Sequence, residues 1–244
     1  MLDVTAWSGL QLIERIADGN RNEVWRGELD GASVAVRRSR RSAASLRWEL
    51  NLIEHLDRRG FVVPNVITTD AGASSHESVV VQRWIEGRPP SSEAEWRRVA
   101  DHLQQLHQLA PNYPQRPECC TVLELHSGRR SVDADLDALP VAIAQQLLDV
   151  FAEFADAPIS LIHGDLNPSN IRLGENYVAL LDWDESRVDI SWHDLSNLGC
   201  TVLDAETHAR AERLSNAWEA VNAWIEEPEY ARRRLAKLQD LEAT

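Results

Sequence analysis

The chain carries the run Leu161-Ile162-His163-Gly164-Asp165-Leu166-Asn167-Pro168-Ser169-Asn170, and a second run, Leu181-Asp182-Trp183-Asp184, follows it closely. An apolar pair delivers a His-Gly-Asp turn. Asn170 comes five residues after Asp165, and Asp182 twelve residues after Asn170. Residues 177–181 are uncharged and rich in apolar side chains, which reads as a short buried strand with Asp182 at its exit.

A carboxylate in a tight turn, an amide close behind it and a second carboxylate at a strand end are what metal-assisted phosphoryl transfer requires. Asp165 can accept the proton of an attacking hydroxyl, and Asn170 and Asp182 can give hard oxygen ligands to a Mg²⁺ that bridges nucleotide phosphates. This order and spacing resemble the aminoglycoside phosphotransferase and choline kinase family, the small-molecule relatives of protein kinases. In that family HGDxxxxN is the catalytic loop and the following aspartate binds metal. The resemblance rests on His163-Gly164-Asp165 joined to Asn170, to Leu181-Asp182-Trp183-Asp184 and to Asp194-Leu195, and it covers about residues 12–200. It implies an α+β, two-lobed protein-kinase-like fold: a small N-terminal antiparallel sheet with one main helix, and a larger, mainly helical C-terminal lobe. The expected division is a nucleotide-binding lobe over residues 1–84, a hinge over 85–90 and a catalytic and substrate-binding lobe over 91–244.

At 244 residues and 43% hydrophobic content, the chain can bury a substantial core. No signal peptide is visible in residues 1–10, and no apolar stretch is long enough to span a bilayer. Cys119, Cys120 and Cys200 make neither a disulfide framework nor a C-x-x-C metal pattern, so a soluble cytoplasmic protein is expected. The formal charge of -14 argues against nucleic acid as a partner, since neutralising phosphates needs clustered cations. It is compatible with a cationic small-molecule acceptor, although a generally acidic surface accounts for most of it. Lys237 is the only lysine, so any role that a kinase gives to a lysine near its N-terminus falls here to another residue.

Residues 12–17, 23–29 and 33–38 read as three strands, with Asp30-Gly31 as the tight turn of a hairpin between the last two. The turn over residues 18–22 has one glycine, Gly19, and does not match G-x-G-x-x-G. By itself it is an ordinary hairpin turn. It resembles the family's looser phosphate loop, in which a glycine and a later asparagine precede the second strand, and Asn22 fits that asparagine. The third strand ends in Val36-Arg37, where kinases place the lysine that holds the α- and β-phosphates. Arginine keeps the charge in a planar fork. The competing reading of Arg37 is an exposed cation opening the basic run 37–41. In the helix expected over residues 42–59, Glu49 lies at the border of the apolar stripe of Leu46, Leu50, Ile53 and Leu56. By resemblance it is the partner of Arg37, against the alternative of a solvated glutamate, and Glu54 is a weaker candidate. Residues 63–68, weakened by Pro64, and 78–84 complete a five-stranded sheet. The resemblance places an adenine along the backbone near Gln82, Trp84 and Ile85, before the Gly87-Arg88-Pro89-Pro90 break.

The second lobe reads as helical. Ser92-Glu93-Ala94-Glu95 is a capping box, with Trp96, Val99, Leu103 and Leu106 on one face beyond it. His107 is read as structural, residues 111–131 as an unassigned polar connection, and 140–155, 205–224 and 228–241 as helices. A further helix is expected to start at Asp194, which resembles the family aspartate that braces the catalytic loop. The interval 185–193 is too short for a protein-kinase activation segment, which points to a small acceptor.

For Asp165 the competing reading is a turn aspartate, natural in Asp-x-Asn-Pro. Three matches in the right order favour the base. His163 is read as packing and hydrogen bonding rather than as a metal ligand, for want of a second histidine at ligand spacing. Asp184 is read as a surface group in preference to a second metal-side carboxylate. Trp183 and Trp192 belong either to the acceptor site or to the core, the commoner fate. The expectation is therefore a Mg²⁺-dependent phosphotransferase that moves the γ-phosphate of ATP or GTP to a hydroxyl of a small molecule, with neither nucleic acid nor membrane as partner. The alternative from another class is a catalytically silent kinase-like nucleotide-binding or interaction module, motivated by the missing lysine and the poor glycine loop.

Overall fold

Alternating apolar residues and tight turns build the N-terminal half. In the computed structural model, which describes residues 2–16, 23–109, 113–199 and 202–242, β1 (Gln11–Arg15), β2 (Glu23–Leu29) and β3 (Ala32–Arg38) form an antiparallel meander. Asp30 and Gly31 both take positive φ at the turn between β2 and β3, the conformation that a two-residue hairpin turn demands. Helix α1 (Ala43–Asp57) follows, capped by Ser42, whose hydroxyl accepts from the Ser45 amide at 3.3 Å. Next come β4 (Val66–Ile67) and β5 (Val79–Arg83), which complete a five-stranded sheet in the order β1-β2-β3-β5-β4. The strand expected over 63–68 shrinks to two residues at the sheet edge. Pro64 has no amide to give the ladder, and its carbonyl accepts from the Gln82 side chain at 3.0 Å.

Leu2, Trp7, Val34, Val36, Val79 and Val81 form the core on one face of this sheet. On α1, Leu46, Leu50, Leu52, Ile53 and Leu56 are buried together with Glu49.

The C-terminal half is mainly helical: α2 (Glu93–Leu109), α3 (Val122–His126), α4 (Val141–Ala152), α5 (Ala205–Asn222) and α6 (Pro228–Glu242). The capping box at the start of α2 is present, with the Ser92 amide donating to Glu95 at 3.2 Å and the Glu95 amide to Ser92 at 3.4 Å. Residues 111–131 hold more order than expected. Arg116 is buried, and α3 has its own capping box between Thr121 and Glu124. Phe151, Phe154, Leu214, Trp218 and Leu238 anchor the core of this half.

Short strands carry the motifs. Strand β6 (Ile159–Ile162) pairs antiparallel with β9 (Arg187–Ile190), a strand within the short interval 185–193 that the sequence pattern does not mark. Strands β7 (Ile171–Leu173) and β8 (Val178–Leu180) form a hairpin. Asp194 lies in a 3-10 turn, Ser191–Leu195, and not at the start of a long helix.

The chain divides into two compact units. One comprises residues 1–89 and 169–184, the other 90–168 and 185–244. The β7–β8 hairpin thus belongs with the N-terminal sheet although it follows the His-Gly-Asp turn in sequence. No helix among the described residues is long and apolar enough to cross a membrane.

Candidate active site

Asp165 follows β6 in the second unit. Buried Leu161 and Ile162 lead into the turn, and Gly164 adopts φ +88 with its α-carbon so close to the Glu185 carbonyl that a Cβ would overlap it. The turn is held from behind by Asp194. Its Oδ2 accepts from the His163 amide at 2.9 Å and lies 3.0 Å from His107 Nε2, while its Oδ1 accepts from the Gly164 amide at 2.9 Å. Burial opposes ionisation of Asp194. The His107 hydrogen bond, the charges of His107 and His163 and the Gly164 amide nevertheless hold its carboxyl below the usual range. His163 is itself fully buried, in keeping with a packing role. The Asp165 carboxylate is oriented by Asn167, whose Nδ2 donates to Oδ1 at 3.0 Å.

A cavity of about 550 Å³ in this unit is lined by His107, Gln104, Ser160, Ser191 and Leu195 among others. Asp165 is not among its lining residues.

Asn170 and Asp182 belong to the first unit, at the same end of the β7–β8 hairpin. Asn170 closes the 3-10 turn Pro168–Asn170 just before β7, and its carbonyl accepts from the Leu181 amide at 2.8 Å. Asp182 is next along the chain and takes φ +56, a left-handed conformation that Asp tolerates better than most residues. The pair offers an amide and a carboxylate oxygen, a donor set that suits a hard divalent cation.

Arg37, at the end of β3, is buried. Its Nε donates to Gln82 Oε1 at 3.2 Å and its Nη2 to the Glu49 carboxylate. Burial disfavours its charge, but the carboxylates of Glu49, Asp184 and Asp182 and the Glu49 hydrogen bond raise its pKa above the ordinary guanidinium value. Neither Arg37 nor Glu49 is thus the solvated side chain of the competing reading. Gln82 is buried and its amide is committed to Arg37 and to Pro64. Trp84 is half-buried under the Arg26 guanidinium, 5.2 Å from its ring centroid, and Ile85 is half-buried next to it. Gly19 and Asn22 lie outside the described residues.

One expectation is corrected here, and one open alternative is decided. Asp184 is buried, at 9% exposure, and is no surface group: Arg41 Nε donates to its Oδ2 at 3.2 Å and Arg41 Nη2 to its carbonyl at 2.9 Å. Trp183 is a core residue, 1% exposed, with its indole N–H donating to the Leu180 carbonyl at 2.9 Å. Trp192 packs edge-on to Phe154 beneath the Arg210 guanidinium. Sequence reasoning missed Arg41 and Asn167. Asn167 was within reach of it, since a side chain two places after an aspartate in a turn is a natural local donor. Nothing local marked Arg41 among its neighbouring arginines.

A five-stranded antiparallel sheet with one buried ion-paired helix, a mainly helical second half and an aspartate-bearing turn between short strands define a protein-kinase-like small-molecule phosphotransferase. The chain belongs to the phosphotransferase enzyme family, whose profile matches residues 12–236. No curated protein matches significantly in sequence. Among solved structures, the choline kinase LicA from Streptococcus pneumoniae is 14% identical, with 97% of this chain and 94% of that one aligned at a TM-score of 0.67. Aminoglycoside phosphotransferase APH(4)-Ia is 12% identical over 96% and 94% of the two chains, with a TM-score of 0.69. The GDP and kanamycin complex of APH(2")-IIIa is 15% identical over 97% and 94%, with a TM-score of 0.62. Family membership implies a nucleotide phosphate donor and a divalent metal in general.

Proposed function

We propose that this protein transfers the γ-phosphate of ATP or GTP, with Mg²⁺, to a hydroxyl of a small and cationic acceptor. The observation that carries the reading is the Asp165 turn. Its main chain is fixed by Asp194 through the amides of His163 and Gly164, its carboxylate is oriented by Asn167, and Asn170 follows five residues later.

In this reading Asp165 orients the acceptor hydroxyl and takes its proton as the oxygen attacks. Arg37, kept charged by Glu49, holds the α- and β-phosphates, and Gly19 and Asn22 lie in the loop over them. The adenine or guanine rests along the backbone of Gln82, Trp84 and Ile85. Asn170 and Asp182 would hold the metal, which when bound neutralises phosphate charge as the bond to the leaving group breaks. The residues contribute positioning and fixed charge, which is where most of the acceleration in such reactions arises. Residues 1–84 with the segment from 85 to 90 serve as the nucleotide lobe and its hinge, and residues 91–244 supply the base and the acceptor pocket.

The net charge of -14 suits a cationic acceptor. Two of the similar structures concern choline and kanamycin, both cationic. Aminoglycoside-like antibiotics, amino alcohols and amino sugars are therefore the acceptors to screen. A nucleotide donor also fits a cytoplasmic place of action.

One observation favours a second reading, a catalytically silent nucleotide-binding module: Arg37 is buried with Nε and Nη2 already bonded inside the protein. Asp165→Asn separates the two. In the kinase reading it lowers transfer by three or more orders of magnitude while calorimetry finds nucleotide binding intact. Transfer at the unaltered rate would remove Asp165 as the base, and no transfer by the unaltered chain to any acceptor of these classes would favour the silent module.

A further inference from the structure

Arg41 and Asp184 have no part in the reaction proposed above, yet both are tied to its donor residues. Arg37 bonds Gln82 and Glu49 through two of its nitrogens, while its third, Nη1, is buried and makes no hydrogen bond among the described residues. Nη1 faces Asp184 Oδ1 at 4.0 Å, within electrostatic reach but too far for a hydrogen bond. Arg41 draws Asp184 the other way, gripping both its carboxylate at Oδ2 and its carbonyl oxygen. Glu49, Arg37, Asp184 and Arg41 thus alternate in sign along a row of which the first three are buried and Arg41 half-buried, and Asp182 adds its charge two residues before Asp184.

A guanidinium with one nitrogen left over and a carboxylate 4.0 Å from it would ordinarily close into an ion pair, since a charged hydrogen bond in a buried setting is stronger than the open arrangement. The double grip of Arg41 opposes closure. The fork geometry matters here, because Nε and Nη2 engage two oxygens of one residue at once, which the single ammonium of lysine does less well.

We infer that Arg41 is a positioning residue of the donor half-site: by restraining Asp184 it keeps Arg37 Nη1 available to a nucleotide phosphate oxygen. In a chain whose phosphate-holding cation is an arginine with two donors already committed, that one nitrogen decides how well the nucleotide is held. Released from Arg41, Asp184 would close on Arg37 and compete with the phosphate. The inference rests on the phosphotransferase reading and deepens it.

The test is calorimetric titration of Mg-ATP and Mg-GTP into the intact protein, into Arg41→Gln and into the double variant Arg41→Gln/Asp184→Asn, with thermal melting of each. Arg41→Gln should weaken the favoured nucleotide about tenfold or more, and raise its KM with a smaller change in kcat. The double variant should recover to within about threefold of the unaltered protein, because the neutral amide no longer captures Arg37. A merely structural role would leave the double variant as weak as the single one or weaker, and that result overturns the inference, as does unchanged binding by Arg41→Gln. Should Arg41→Gln fail to fold, Arg41→Lys carries the same comparison: a smaller loss, again relieved by Asp184→Asn. If the unaltered protein binds neither nucleotide, the phosphotransferase reading fails and takes this inference with it. If it binds one and the rescue is absent, only the inference fails.

Discussion

Gly164 shows how little room the Asp165 turn has. Its φ of +88 is strained for any side chain, and an added Cβ would strike the Glu185 main chain, which cannot swing aside as a side-chain end could. Gly164→Ala should cost about 3 kcal/mol or more in urea unfolding and should also abolish transfer, because relieving the overlap moves the amide that Asp194 holds. A loss below about 1 kcal/mol would mean that the turn is more adaptable than its packing indicates. The His-Gly-Asp turn and the strand that leads to Asp182 were legible in the sequence because both follow from residue type and short spacing. The partners of the charged residues were not. Gln82 lies 45 positions from Arg37, and Asp184 lies 143 from Arg41, so those pairings depend on how helix and strands pack.

Among the α-helices described, α3 is the one that sequence periodicity did not reveal. Five residues are too few to show a helical repeat, and the capping box of Thr121 and Glu124 was the available sign. Because the helix is so short, its cap carries a large share of its local order. Thr121→Ala should destabilise the protein by about 1 kcal/mol, read as a shift in urea midpoint at unchanged slope.

The junction of β9, the 3-10 turn and α5 makes a second element-level prediction. His193 is buried beside Asp189, Arg187 and Asp194, with the Trp218 ring edge-on to it, and burial together with Arg187 pushes its pKa down to about 4 against the pull of the two aspartates. Burial lowers His102 to about 4 as well. Such a histidine is neutral when folded and takes up a proton on unfolding once the pH falls below its ordinary value near 6.5. Its stabilising contribution is therefore complete above that value and is lost progressively as the pH drops toward about 4. Each such proton adds about 1.4 kcal/mol per pH unit to the slope of stability within that window. Denaturant titrations between pH 7 and 4.5 should show His193→Gln losing less stability than the unaltered protein. Parallel curves would contradict the burial of a neutral imidazole.

For the whole molecule, charge sets the main condition on nucleotide binding. A chain of net charge -14 repels a polyphosphate, and the charge of Arg37 is already matched by Glu49. A divalent cation at Asn170 and Asp182 is thus expected to be obligatory for affinity. In melting experiments at a nucleotide concentration of about 100 times Kd, Mg²⁺ should add roughly 2.7 kcal/mol of stability, while nucleotide with chelator should add almost none. An equal shift in both conditions would remove the metal from the binding step.

The chain also passes between its two units more than once, since residues 169–184 join the N-terminal sheet while Asp165 and Asp194 stay in the helical unit. The order of strands, helices and motif residues is written in local patterns of apolar spacing, turn residues and caps, which act over a few positions and survive without a packed core. That is why the antiparallel sheet, the helical second half and the His-Gly-Asp loop could be read from the amino acids alone. Which unit each motif joins, and which arginine meets which carboxylate, depends on contacts between residues far apart in sequence, where burial strengthens some ion pairs and excludes others. Asp184 shows the difference: in sequence it is one acidic residue among 39 Asp and Glu, and in the folded chain it is buried against Arg41.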